Sequence, residues 1–200
     1  MKVAVVKYNA GNIFSVVHAL KRMGVEPLLT DSEVELRSAD RVIFPGQGEA
    51  SNAMNYLRER GLDRVIPSLT QPVLGICIGQ QLMCRHSEEG DTDCLGIFDA
   101  EVKRFQPVKH EDKIPHMGWN SIDPLQTSPS MGRLFEGLDG EFVYFVHSFY
   151  VPVCEDTAAI TDYIHPFSAA MQKDNFFATQ FHPEKSGEVG QQILRNFLEL

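Results

Sequence analysis

The sequence has no apolar run that could span a bilayer, which takes about 20 consecutive residues. Its amino end, "MKVAVVKYNAGN", is broken by Lys7 and reads as a first strand, not as an export signal. Positive charge is scarce. Lys and Arg number 18 against 27 Asp and Glu, a net charge of −9, which argues against nucleic acid as the main partner. Cysteine is scarce too, with Cys77, Cys84, Cys94 and Cys154 and no C-x-x-C pair. That excludes a dense disulfide framework and makes a structural zinc site unexpected; reduced thiols in a cytoplasm fit better. Repeats, low-complexity tracts and linkers are absent as well. What is present is ordinary: 43% hydrophobic and 22% charged residues over 200 positions, enough for one sizeable core and one domain spanning 1–200.

Along the chain, valine-rich or apolar runs alternate with helical patterns. "KVAVVKY", "VEPLLT", "DRVIFPG" and "QPVLGIC" read as strands. Between them Ile13, Val16, Val17, Leu20 and Met23 recur at helical spacing, with Gly24 suited to the stop, and "EASNAMNYLRERG" reads as a second helix. "IGQQLMCRHS" continues the fourth strand as a helix. Alternation of this kind implies a parallel sheet flanked by helices. After Gly90 the runs are strand-like with short turns and are expected to add antiparallel strands to that sheet, before a closing helix over 187–200. The fold class is therefore α/β, with a mixed, largely parallel sheet.

Ligands of open α/β sheets gather at the carboxyl ends of strands. Two glycine-rich turns lie at such ends, "PGQGEA" and "GICIGQQ". In the second, Gly75 and Gly79 bracket Cys77, as in a nucleophile elbow, and the N–H of Ile78 would face an oxyanion. A buried structural cysteine is the plain alternative for such an apolar run. A nucleophilic thiol needs a base. His182 leaves the apolar run "FFATQF" at a strand exit; His116 and His147, flanked by apolar residues, read as core or pocket-wall histidines. Glu184, two residues beyond His182, would return to the same face of an extended segment and orient the imidazole. In "PGQG" the glycines would let the Gln47 peptide turn an N–H toward a substrate carbonyl. Neither turn matches a phosphate-binding motif.

"GICIGQQ" together with "HPE" resembles class I glutamine amidotransferases. "YNAGNIFSV", "IPHMGWN", "YFVHSFYV" and "HPEKSG" are similar, within them, to the glutaminase subunits of imidazole glycerol phosphate synthases. The resemblance runs from Tyr8 to Gly187. It implies a Cys77–His182–Glu184 triad, glutamine binding by Gly46, Gly48 and Gln81, and an oxyanion held by the peptide at Gln47 and by Ile78. It implies no metal and no organic cofactor. It also implies a separate (β/α)8-barrel cyclase as heterodimer partner, receiving ammonia in histidine biosynthesis. Lys185, directly after the triad, is expected at that interface. The chain departs from the family's usual residues at Lys7, Asn9, Gln47 and Gln80. Three other readings stay open: a partner-independent cysteine hydrolase acting on peptides or γ-glutamyl substrates, an amidotransferase subunit for a different acceptor, and a binding module with a buried Cys77.

Overall fold

The computed structural model describes residues 1–8, 13–46, 48–125, 133–138 and 140–200. The first half alternates as its periodicity requires: β1 (Val3–Val6), α1 (Ile13–Arg22), β2 (Leu28–Thr30), α2 (Glu33–Arg37), β3 (Arg41–Phe44), α3 (Ala50–Glu59), α4 (Leu62–Val65), β4 (Val73–Ile76) and α5 (Ile78–Met83). Gly24 ends α1 with φ 79°, the left-handed region that glycine enters without a Cβ clash.

The second half is strand-rich: β5 (His86–Ser87), β6 (Thr92–Asp93), β7 (Glu101–Arg104), β8 (His116–Ser121), β9 (Asp123–Pro124), β10 (Phe142–His147), β11 (Phe149–Tyr150), β12 (Thr157–Asp162), β13 (Pro166–Lys173) and β14 (Phe176–Thr179), closed by α6 (Gly187–Glu199). The main sheet has the order β2-β1-β3-β4-β14-β13-β12-β9. Its first five strands are parallel, and β13, β12 and β9 follow antiparallel. The mixed, largely parallel sheet is as expected. Not every later strand joins it: β10 pairs with β8 in a separate ribbon, and β11, β7, β5 and β6 form a small sheet of their own. The helix after β4 is also shorter than the sequence suggests, because His86–Ser87 leave it to pair with β7.

Both faces of the sheet are covered. Along β1, Val3 and Val5 face one core with Leu20 of α1 and Leu194 and Phe197 of α6. Ala4 and Val6 face the other, with Leu36, Met54 and Leu57 of α2 and α3. Successive strand residues point to opposite faces, so a strand buried on both sides must be apolar throughout, which explains the unbroken "VAVV". The β8/β10 ribbon alternates instead. Val143, Phe145, His116 and His147 point inward and are buried; Met117, Trp119 and Phe142 point outward and are exposed. Among the described residues no helix is long and apolar enough to cross a membrane.

Candidate active site

The register of β4 and β14 creates the site. They are parallel neighbours, Thr179 beside Ile76, so both chains leave the sheet at the same end. A backbone bond, Cys77 N to Thr179 O at 2.7 Å, joins the two exits. At that point Cys77 adopts φ 54° and ψ −107°, a conformation costly for a residue with a Cβ, and α5 begins at the next residue. A strained residue between strand and helix is the geometry of a nucleophile elbow.

Gly75 and Gly79 do not make this turn, since neither has positive φ. Their role is close packing. A Cβ on Gly79 would lie 2.1 Å from the carbonyl oxygen of Phe44, and one on Gly75 would lie 2.9 Å from the carbonyl carbon of Gly79. Missing side chains let α5 settle on the ends of β3 and β4 while Cys77 carries the strain. Gln80 faces inward, fully buried, and its Nε2 donates to Ser168 O at 3.0 Å, tying α5 to β13. Lys7 is exposed at the end of β1, whereas Asn9 lies outside the described residues.

β3 is the neighbour of β4, so "PGQG" and the elbow share one crevice, as the sequence suggests. Gly46 is buried under the elbow: a Cβ there would meet the Tyr8 hydroxyl at 1.9 Å and Ile78 Cγ2 at 2.4 Å. The Tyr8 hydroxyl donates to Pro45 O, and burial, with Cys77 nearby, raises its pKa. Gly48 lines the crevice with φ 144°; Gln47 lies outside the described residues. The N–H of Ile78, first in its helix, has no intrahelical acceptor.

His182 follows β14 by three residues and caps a 3-10 turn, Pro183–Lys185. Glu184 reaches the imidazole from that turn, not from an extended segment: its Oε1 lies 2.8 Å from His182 Nδ1, and both side chains are 2% exposed. The loop is pinned to β10, since His182 N donates to Tyr144 O and Tyr144 N to Ser186 Oγ. Burial by itself would lower the His182 pKa. Interaction with Cys77 and then with Glu184 outweighs it and raises the pKa above the ordinary histidine value. Nε2 is buried without a well-formed hydrogen bond, which leaves it as the nitrogen that can exchange a proton with the thiol.

A cavity of about 420 Å³ opens over Cys77, lined by Ile78, Gln81, Glu89, His147 and Phe149. His147 stands in the wall of this cavity, in line with the pocket-wall reading of its apolar flanks, whereas nothing in the sequence points to Glu89 there. Glu89 lies in the polar run "HSEEGD", which looks like any solvated turn; its pKa is raised by burial. His147 Nδ1 donates to Phe149 O at 2.7 Å, and its Nε2 accepts from His116 Nδ1 at 2.9 Å. Desolvation lowers the pKa of His147 to about 3 and of His116 to about 4, so both are neutral near pH 7 and are weaker bases than an ordinary histidine. A second cavity lies behind Glu184, lined by Ser15, His18, Lys21, Arg22 and Lys185. Among the described residues no cluster of His, Cys, Asp and Glu is arranged to hold a metal ion.

The structure is thus that of an α/β protein that sets a cysteine thiol beside a buried histidine–carboxylate pair, under an amino-acid-sized cavity. The chain belongs to the glutamine amidotransferase class-I family, whose model matches residues 4–200. It is 67% identical over the full length of both chains to imidazole glycerol phosphate synthase subunit HisH of Bacteroides thetaiotaomicron. To the subunit of that name in Pectobacterium atrosepticum it is 46% identical, again over all of both chains. The structure of PurLQS from Thermotoga maritima superposes with a TM-score of 0.68 at 17% identity, over 99% of this chain and 97% of that one, a likeness of fold alone.

Proposed function

We propose that residues 1–200 form one glutaminase domain, the glutamine-hydrolysing subunit of an imidazole glycerol phosphate synthase in histidine biosynthesis, working in the cytoplasm. The observation that carries this reading is the convergence of Cys77 with the His182–Glu184 pair at the strand exits. The names of the relatives, 67% and 46% identical, supply the pathway.

In the reaction the Cys77 sulfur attacks the side-chain carboxamide carbon of glutamine. The carbonyl π electrons move to oxygen, which the N–H of Ile78 and a peptide of the Gly46–Gly48 turn receive. Protonated His182 delivers its proton to the departing nitrogen, the C–N bond breaks, and ammonia leaves a γ-glutamyl thioester. His182 then takes a proton from water as water attacks the thioester, releasing glutamate and the thiolate. Glu184 holds the imidazole by Nδ1 and steadies its positive form. Glu89, a carboxylate in the cavity wall, suits the α-ammonium of glutamine. The Gln81 Nε2 spends its hydrogens on Phe149 O and Gln180 Oε1, so a contact of Gln81 with substrate falls to its Oε1.

A separate (β/α)8-barrel cyclase is the proposed heterodimer partner. Two surfaces beside the triad support this. The outward face of the β8/β10 ribbon exposes Met117, Trp119 and Phe142, and the cationic cavity behind Glu184 includes Lys185. The test measures ammonia and glutamate released from glutamine by the chain, alone and with the cyclase and its acceptor. Glutamine-dependent cyclase product supports the reading. Hydrolysis of γ-glutamyl peptides without a partner, and no ammonia from glutamine in its presence, would favour a partner-independent hydrolase.

A further inference from the structure

Gln180 is fully buried, in the step between β14 and His182. An uncharged carboxamide in such a place is costly unless each of its ends is bonded. Its backbone is fixed by Gln180 N donating to Ala169 O at 2.8 Å. Its side chain has two partners. Oε1 accepts from Gln81 Nε2 at 3.0 Å, and Nε2 donates to the Cys77 sulfur at 3.7 Å, within reach for an acceptor of sulfur's size.

The direction of this chain of bonds is not arbitrary. Phe149 O can only accept. It takes a hydrogen from His147 Nδ1 at 2.7 Å and another from Gln81 Nε2 at 3.0 Å. The amino end of Gln81 is thereby set, and its second hydrogen points at Gln180. Gln180 must then present oxygen to Gln81 and nitrogen to Cys77. Reversed, it would oppose two amino groups on one side and aim an oxygen at the sulfur on the other. A backbone carbonyl, which cannot flip, thus dictates an N–H donor at the nucleophile.

We infer that Gln180 is a further catalytic residue, whose amide N–H stabilises the Cys77 thiolate, with Gln81 as the positioning residue that sets its direction. The inference rests on the glutamine-hydrolysis reading. The thiolate exists at two points of that cycle: before attack on the carboxamide, and when it is expelled from the thioester by water. At both, the negative sulfur gains from a donor whose orientation is already set, since hydrogen bonds to charged groups exceed those to neutral ones. His182 approaches from the same β14 exit, two residues beyond Gln180, and Tyr8 from the end of β1; the first supplies a proton and the second bonds Pro45 O, so neither replaces the amide.

The test follows iodoacetamide alkylation of Cys77 against pH, read by peptide mass spectrometry, together with glutamine kinetics of the cyclase complex. Gln180→Leu removes the donor. Gln180→Glu keeps an acceptor for Gln81 and sets a carboxyl group against the sulfur. The half-maximal pH for alkylation should rise by about 1 unit in Gln180→Leu and by more in Gln180→Glu. kcat should fall about tenfold with KM little changed. Gln81→Leu should reproduce part of the alkylation shift, because Gln180 loses its lock. Circular dichroism of each variant identifies any that fails to fold, and Gln180→Glu retains the Gln81 contact should Gln180→Leu be lost. Alkylation profiles that coincide with the parent's, or move to lower pH, overturn the inference. If the parent complex releases no ammonia, or Cys77 reacts no faster than Cys94 and Cys154, the glutaminase reading fails first and independently.

Discussion

At the scale of single residues the proposed chemistry gives different work to three side chains. Cys77 is the proposed nucleophile, so Cys77→Ala should lower glutamine turnover by about 10⁴-fold or more, as loss of a nucleophile does. Production from ammonium salts by the cyclase complex should persist, and both rates are read in the same steady-state assay. In the same proposal His182 carries protons, whereas Glu184 contacts only the imidazole, at Nδ1 over 2.8 Å. Glu184→Gln should therefore cost less turnover than His182→Ala; equal or reversed losses would remove Glu184 from its orienting role. Cys77, His182 and Glu184 could be read from spacing and motif, because an elbow and "HPE" are local patterns. Glu89, Gln180 and the bond between His116 and His147 could not. Each acquires its partner from a segment remote in sequence, as when Gln180 meets Gln81 and Cys77 about a hundred positions away.

At the scale of elements, the site depends on how closely α5 sits on the sheet. Gly79→Ala would bring a Cβ to 2.1 Å from the Phe44 carbonyl oxygen, and backbone cannot swing aside as a side chain can. The expected result is a loss of about 1–3 kcal/mol of stability, read by urea unfolding, and a larger fractional loss of glutaminase rate as the elbow shifts. Gly24→Ala is the control: it has φ 79° with open space around the Cβ, so it should cost about 1 kcal/mol and leave turnover intact. In the sequence both glycines are visible as the bracket of an elbow, but their work there is not. The structure gives them contact and gives Cys77 the turn. Similarly, "HPE" was read as extended. Pro183 instead begins a 3-10 turn that folds Glu184 back onto His182, and the pairing survives the different geometry.

At the scale of the molecule, two buried histidines couple folding to pH. An unfolded histidine takes up a proton near pH 6.5, while His116 and His147 resist protonation to about 4 and 3 because burial opposes the charge. Between those limits the unfolded chain binds more protons than the folded one, so stability must fall as pH falls, by up to about 1.4 kcal/mol per pH unit for each histidine. Urea midpoints at pH 7 and pH 5 should show the loss, and imidazole NMR signals of His116 and His147 should stay constant between those two values. A flat urea midpoint would count against both assignments. Lys185 tests the proposed assembly. Lys185→Ala should weaken cyclase affinity and glutamine-dependent synthesis without changing Cys77 alkylation; unaltered affinity and synthesis would place Lys185 outside the interface.

The sequence alone determined the α/β class, the alternation of the first half and the short motifs that carry Cys77, His182 and Glu184, because periodicity, turn residues and short motifs are set by neighbours within a few positions. Strand membership in the second half was decided only in the tertiary structure. A short alternating run such as "FVYFVH" suits any sheet edge, and which edge it finds depends on what the rest of the chain leaves unpaired: here β10 took β8 and not the main sheet. The cavity, the neutral histidine pair and the amide facing the sulfur belong to the same category. Their hydrogen bonds cross from one segment to another, and burial, which sets their protonation and their strength, exists only once those segments pack.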